Sequence, residues 1–175
     1  MPQELSRAAR TLLAFYRGEG RTNTGYTLHG ILGWDDDTWE HLHDFIQWVF
    51  PNERRSDFNP DAPTLTPELI SLWASDPVLG DNFNLAFARW LRFVGLERTA
   101  SQGFRFTDGA SSVNRSVWAF PNHNWLRITR VLTCLRLLHH ADDAEQLGDF
   151  LVNEAAPNFG IDDETVQFWR NAAGM

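Results

Sequence analysis

The chain has 175 residues, a formal net charge of -8 and one cysteine, so it is long enough for one domain whose core needs neither a disulfide nor a metal. The acidic charge disfavours salt-driven binding to nucleic acid, and no apolar run approaches the ~18–20 residues of a membrane span. A lone cysteine and the absence of an apolar leader indicate an intracellular, cytoplasmic setting.

Helical spacing and capping residues divide the first part of the chain into short helices. Apolar residues recur at helical spacing from Leu5 to Tyr16. Thr27 is typical of an N-cap and predicts a second, short helix. Asp35 predicts the cap of a third helix, which is expected to continue without interruption to Pro51.

Proline positions mark the next two helix starts. Thr66 followed by Pro67 is an N-cap followed by proline at the first helical position. Asp76 followed by Pro77 repeats this arrangement and opens a longer helix that is expected to run to Gly95.

The rest of the chain begins with its least regular segment, residues 102–121. Phe104 and Phe106 alternate with polar residues there and predict a short strand or an extended loop. Pro157 and Gly160 are expected to break the chain later. The predicted helices of this part cover residues 124–138, 144–153 and about 162–173. The pattern predicts an all-α fold, one compact domain over residues 1–175 with roughly seven helices.

The stretch of residues 39–51 predicts a helix with one apolar side and one polar row. The apolar side has the spacing of a buried stripe and consists of Leu42, Phe45, Ile46 and Val49. Glu40, His43 and Gln47 are three or four residues apart and are expected to share a second stripe.

The stretch of residues 123–132 repeats this plan. Its apolar side consists of Ile128, Val131, Leu132 and Leu135. His123, Arg127 and Arg130 are expected to align on a polar side of the helix.

These two stretches resemble the signature segments of the opioid growth factor receptor conserved-domain family. The first is similar to that family's isoleucine–glutamine–tryptophan–leucine–phenylalanine–proline run, with Val49 in place of the usual leucine. The second is similar to its histidine–asparagine and leucine–arginine–isoleucine–threonine–arginine run. Shorter similarities at residues 13–17, 65–68 and 91–96 lie in the same order, so the resemblance covers about residues 12–153.

The resemblance implies a helical fold and a receptor-like, non-enzymatic binding module. The vertebrate members that give the family its name are described as receptors for a small enkephalin peptide, acting at or near the nucleus. They carry an acidic N-terminal extension and C-terminal repeats. This chain resembles the domain alone, without those parts.

Two interpretations of the polar rows remain open. In the structural one, Arg127 and Arg130 pair with Glu40 or Asp44, because guanidinium and carboxylate groups match in geometry. In the other, a cleft between the two motif helices binds a small peptide, an anionic ligand or a protein partner. The candidate residues of that cleft are Glu40, His43, Gln47, Trp48, His123, Asn124, Arg127 and Arg130.

The alternative from another class is an enzyme of unrecognised type that uses Glu40, His43 and His123. The sequence contains no recognised catalytic motif and no paired cysteines, so we predict no catalytic residue, cofactor or metal. On a continuous helix His41 and His43 would point about 200° apart, too far to share one ion. The sequence leaves the oligomeric state open.

Overall fold

The computed structural model describes residues 5–101, 103–119 and 122–175. The chain forms two compact units, the first ending at Arg89 and the second beginning at Trp90. Helices dominate both units, which confirms the all-α prediction. The organisation as a single domain stays a prediction. Within the described ranges, no helix is both long and apolar enough to cross a membrane.

The first unit is built from helices whose starts follow the predicted caps. The helices are α1 (Arg7–Tyr16), α2 (Leu28–Leu32), α3 (Asp36–His41), α4 (Ile46–Val49), α5 (Pro67–Ser75) and α6 (Pro77–Phe93), the last of which continues into the second unit. The side chains of Thr27, Asp35 and Thr66 each accept a hydrogen bond from the amide three residues later. These bonds satisfy amides that a helix start leaves without an intrahelical partner, and they confirm the predicted N-caps.

Tyr16 connects α1 to three other helices of this unit. Its hydroxyl donates a hydrogen bond to the carbonyl of Val49, the last residue of α4. Its own carbonyl accepts from Nδ2 of Asn82 on α6, at 2.6 Å. The ring also meets Trp73 of α5 edge to face, with centroids 4.4 Å apart. A fully buried aromatic ring with a satisfied hydroxyl is a strong core element.

Arg89 forms a second connection inside the first unit. Its guanidinium is 2.9 Å from Oδ1 of Asp36 and also donates to the carbonyl of Trp34, at 2.9 Å. The same group lies over the Trp39 ring, 4.7 Å from its centroid. Because Arg89 is only 6% exposed, its charge depends on these contacts for compensation.

The predicted continuous helix across residues 39–51 is wrong. Helix α3 ends at His41, and Leu42 has an extended backbone (φ -89°, ψ 136°). The link of residues 42–45 then leads into α4. Every residue from Phe45 to Phe50 is buried, which an amphipathic surface helix does not allow. The predicted stripe of Glu40, His43 and Gln47 therefore does not exist on one helix.

The second unit adds a small sheet and more helices. Its elements are β1 (Leu96–Arg98), β2 (Phe104–Phe106), α7 (Ser112–Ser116), α8 (Asn124–Leu137), α9 (Ala141–Phe150), a π-helical turn (Leu151–Ala155), α10 (Ala156–Phe159) and α11 (Asp163–Ala173). The strands pair antiparallel, with Leu96 opposite Phe106. The strand predicted at Phe104 and Phe106 is confirmed, whereas β1 and α7 were not predicted.

Pro157 does not break the chain, contrary to the prediction. It is the second residue of α10, directly after the π-helical turn, so the amide that proline lacks falls where the regular α-helical hydrogen bonding is already interrupted. The preceding π-helical turn connects α9 to α10 without an intervening loop. The break comes at Gly160, which has a left-handed backbone with φ 63°.

Helix α8 lies against α9 and α11 in the core of the second unit. Trp169 of α11 is fully buried, and its Nε1 donates to the carbonyl of Trp125 at 3.3 Å. Gly148 on α9 allows α11 to come close, since a Cβ there would lie 2.5 Å from Cβ of Ala173. These contacts fix α8 and α11 beside each other.

Candidate functional site

The candidate residues of the first motif lie in different local environments. Glu40 is half-buried near the end of α3, and His43 is exposed in the link after it. Gln47 and Trp48 are buried on α4. Nε1 of Trp48 donates to Oδ1 of Asn23 at 3.1 Å, so its polar group already has an internal partner.

The candidate residues of the second motif follow α8 as predicted. His123 is exposed just before the helix. Asn124 and Arg127 are 1% and 6% exposed, and Nη1 of Arg127 donates to Oδ1 of Asn124 at 3.2 Å. Arg130 is half-buried, and burial lowers the pKa of its guanidinium from the ordinary value. Much of this row is therefore turned towards the protein interior.

The predicted cleft draws residues from both compact units. Glu40, His43, Gln47 and Trp48 belong to the first unit, and His123, Asn124, Arg127 and Arg130 belong to the second. The set of eight residues stays a prediction.

The angular argument against a metal at His41 and His43 fails, because the helix ends at His41. In the part of the chain that the structure describes, no group of three or more His, Cys, Asp or Glu side chains is placed to bind a metal ion.

The second unit contains an open groove beside the second motif. Its volume is about 600 Å³. Helix α8 forms one wall and the beginning of α11 forms the other. The lining residues are Trp125, Leu126, Thr129, Asp162, Glu164, Thr165 and Phe168.

The groove combines exposed apolar side chains with carboxylates. Leu126 is 61% exposed and Phe168 is 52% exposed, although both lie on helices that bury other apolar residues. Asp162 and Glu164 are exposed at the start of α11. Among the described residues that line the groove, none carries a positive charge.

Internal hydrogen bonds fix both walls of the groove. The carbonyl of Trp125 accepts from Nε1 of Trp169 and from Oγ1 of Thr129, at 3.3 and 3.1 Å. Asp162 accepts from the amide and the hydroxyl of Thr165, each at 2.9 Å. These two bonds lower the pKa of the Asp162 carboxyl from its ordinary value, so Asp162 is negatively charged at neutral pH.

The sequence analysis missed this groove, although it singled out the helix that forms one wall. A signal was present, because Leu126 is an apolar residue outside the buried stripe of Ile128, Val131, Leu132 and Leu135. Phe168 is likewise out of phase with the buried Trp169, Ala172 and Ala173 of α11. Single exposed apolar residues are common. Leu126 and Phe168 indicate a groove only because α8 and α11 lie side by side, and one sequence does not reveal that packing.

Comparisons with known proteins identify relatives across most of the chain. The model of the opioid growth factor receptor (OGFr) conserved region matches residues 6–171. Opioid growth factor receptor-like protein 1 of Mus musculus is 31% identical over 116 residues, which cover 66% of this chain and 25% of that protein. Opioid growth factor receptor of Homo sapiens is 33% identical over 132 residues, which cover 70% of this chain and 19% of that protein.

The matched region is thus about a quarter or less of the length of these relatives. No solved structure matches the chain.

Proposed function

Because this chain belongs to the opioid growth factor receptor conserved-region family, we propose that it is a non-enzymatic binding module that recognises a small peptide or a segment of a protein partner. An anionic ligand bound by the second polar row is the other form of this proposal. In both forms the second motif, at the start of α8, contributes the recognition surface.

The observation that carries the proposal is the outward face of α8. Leu126 lies within the family's second motif, yet 61% of it is exposed on a groove of about 600 Å³. Phe168 is exposed on the opposite wall, and two large apolar side chains exposed next to each other and bordered by polar groups support a binding surface. The word "receptor" in the relatives' names supports the same class of function.

The anionic form depends on the part of the polar row that solvent reaches. His123 is exposed and Arg130 is half-buried, whereas Arg127 is 6% exposed and bonds to Asn124. We therefore assign contact with an anion to His123 and Arg130, and an orienting role to Arg127. Arg127→Ala is a poor test of binding, because it disturbs a buried hydrogen bond.

The test is the thermal unfolding midpoint of the full chain with a panel of ligands. The panel contains short peptides of positive, negative and zero charge, together with inorganic phosphate and citrate. A ligand at a hundred times its dissociation constant stabilises by about 2.7 kcal/mol, which raises the midpoint by several degrees. A shift caused by any peptide supports the proposal in its first form.

Matched variants separate the two forms. For an anionic ligand, we expect the shift to shrink in His123→Ala and Arg130→Ala but to persist in His29→Ala, which removes an exposed histidine of α2. If no peptide or anion on the panel moves the midpoint, the proposal of a small-ligand module is wrong.

A further inference from the structure

We propose that the groove between α8 and α11 binds a partner segment that presents a basic side chain next to a large apolar side chain. The apolar side chain packs on Leu126 and Phe168, and the cation pairs with Glu164 and Asp162. This inference rests on the proposed function and specifies the chemistry of its partner.

The apolar part of the argument comes from exposure. Leu126 and Phe168 expose 61% and 52% of their surface on the two facing walls. An aromatic or aliphatic side chain placed between them removes apolar surface of both walls from water at once. Trp125, 6% exposed, lies beside them as a rigid aromatic surface.

The polar part of the argument comes from charge. Asp162 and Glu164 line the groove, and Asp163 lies between them in the first turn of α11. The N-terminus of a helix ordinarily favours an anion. At α11 these carboxylates already occupy that position, and the amide of Thr165 is bonded to Asp162. A further anion would meet repulsion, whereas a lysine or arginine side chain is attracted.

Charge also argues against a second copy of the chain as the occupant. A symmetric dimer through this groove would place the same surface on both sides. Asp162, Glu164 and their copies would then lie in one interface, and two chains of net charge -8 would approach each other. Like charges at an interface are costly. The groove therefore favours a different molecule with a positive charge.

The experiment measures binding of a defined probe by fluorescence anisotropy. The probe is a labelled, N-acetylated and C-amidated peptide, Gly-Ser-Lys-Leu-Phe-Lys-Ser-Gly, titrated with the full chain. One twin peptide replaces both lysines by glutamate, and another replaces leucine and phenylalanine by serine. We expect saturable binding of the probe and at least roughly tenfold weaker binding of each twin.

Variants of the protein assign the binding to the groove. Phe168→Ser and Leu126→Ser are each expected to weaken probe binding by roughly tenfold. Phe58→Ser is the matched control, because Phe58 is 78% exposed and does not line the groove. We expect the control to bind as the parent does, and the midpoint of thermal unfolding verifies that each variant is folded.

The carboxylate is tested separately. Glu164→Gln is expected to weaken probe binding by about threefold at low salt. High salt should remove the difference in affinity between this variant and the parent, because exposed charge pairs are screened. Glu154→Gln, an exposed glutamate that does not line the groove, should have no effect.

Three results would overturn the inference: no saturable binding of the probe, equal binding of the glutamate twin, or equal weakening by Phe58→Ser. The thermal panel separates this failure from failure of the proposed function. If an acidic peptide stabilises the chain and the probe does not bind, the binding module stands and the cationic partner is wrong. If the probe does not bind and no peptide or anion on the panel moves the midpoint, both proposals fail.

Discussion

The two motif stretches have the same kind of sequence pattern and different backbones. Residues 39–51 fold into the end of α3, an extended link and the buried α4, whereas residues 123–132 open the continuous helix α8. Apolar and polar residues alternate with helical spacing in both. Periodicity is a local property, and the difference shows that contacts from distant parts of the chain decide the backbone in the first stretch.

Two contacts stabilise the break in the first stretch, one within the stretch and one from outside it. Trp39 and Phe45 meet edge to face with centroids 4.9 Å apart. On a straight helix, residues six positions apart are rotated by about 240° and point to different sides, so this contact requires the break. The link also has its own hydrogen-bond partner, because Nδ2 of Asn59 donates to the carbonyl of Asp44 at 2.6 Å. Without such a partner, a buried carbonyl outside a helix is destabilising.

Helix α8, which contains the second stretch, also has hydrogen bonds between residues close in sequence. The hydroxyls of Thr129 and Thr133 donate to carbonyls four residues earlier on α8. The residue that follows the C-cap of α8, His139, has a left-handed backbone (φ 67°), and the amide of His140 donates to the carbonyl of Leu135 at 2.8 Å. This is the hydrogen bond of a Schellman-type helix end.

Arg89→Leu is the change expected to disrupt the first stretch most. It removes a buried guanidinium that contacts Asp36, the carbonyl of Trp34 and the Trp39 ring. Breaking a buried pair costs about 3–5 kcal/mol, and the partial exposure of Asp36 (24%) reduces this to roughly 2–4 kcal/mol. The measurement is the free energy of unfolding from urea titration.

The control for this variant is Arg92→Leu, an exposed arginine on the same helix. Surface substitutions of this kind usually change stability by about 0.5 kcal/mol or less. Equal losses in the two variants would show that the buried contacts of Arg89 do not stabilise the region around α3.

Asn59→Ala tests the link itself. The variant removes the donor to the Asp44 carbonyl and leaves that group without this partner, so we expect a loss of about 1–2 kcal/mol. Asn84→Ala, an exposed asparagine of α6, is the matched control. Amide hydrogen exchange should also be faster in residues 42–50 of Asn59→Ala than in the parent. Unchanged exchange there would contradict the role given to Asn59.

Helix starts were the most predictable part of the molecule. The predicted caps at Thr27, Asp35 and Thr66 act on amides three residues away, so a short sequence window contains the whole interaction. The break after His41 could not be predicted in this way, because the hydrogen bond that stabilises the link joins Asp44 to Asn59, 15 residues further along the chain. The same applies to β1, whose identity as a strand depends on pairing with β2.

The candidate site was predictable only where it follows one helix. The sequence placed Arg127 and Arg130 on α8 correctly, whereas His123 lies directly before the helix. It could not show that Arg127 is buried against Asn124. The groove could not be predicted from the sequence for a related reason. Leu126 and Phe168 are far apart in the chain, and only the packing of α11 on α8 makes them neighbours.

His139→Gly is expected to stabilise the second stretch. Glycine adopts the left-handed conformation without the steric cost that a Cβ imposes, so the free energy of unfolding should rise by about 0.5–1 kcal/mol. His139→Ala keeps the Cβ and is expected to give no such gain. If alanine stabilises as much as glycine, the backbone of His139 is not the source of the effect.

The smallest expected effect is a pH dependence at the start of α3, which precedes the first motif. Hydrogen bonds from the hydroxyl and the amide of Thr38 lower the pKa of Asp35 from its ordinary value of 3.8. A carboxyl whose pKa is lower in the folded state contributes stability above its unfolded pKa, and this contribution is lost as the pH falls through the folded pKa.

Asp35→Asn keeps an acceptor at the cap but does not titrate. We therefore expect the urea midpoint of the parent to fall more than that of Asp35→Asn between about pH 5 and pH 2. Asp61→Asn, which removes an exposed carboxylate outside α3, should follow the parent. A parallel fall of all three proteins would contradict the link between this cap and acid stability.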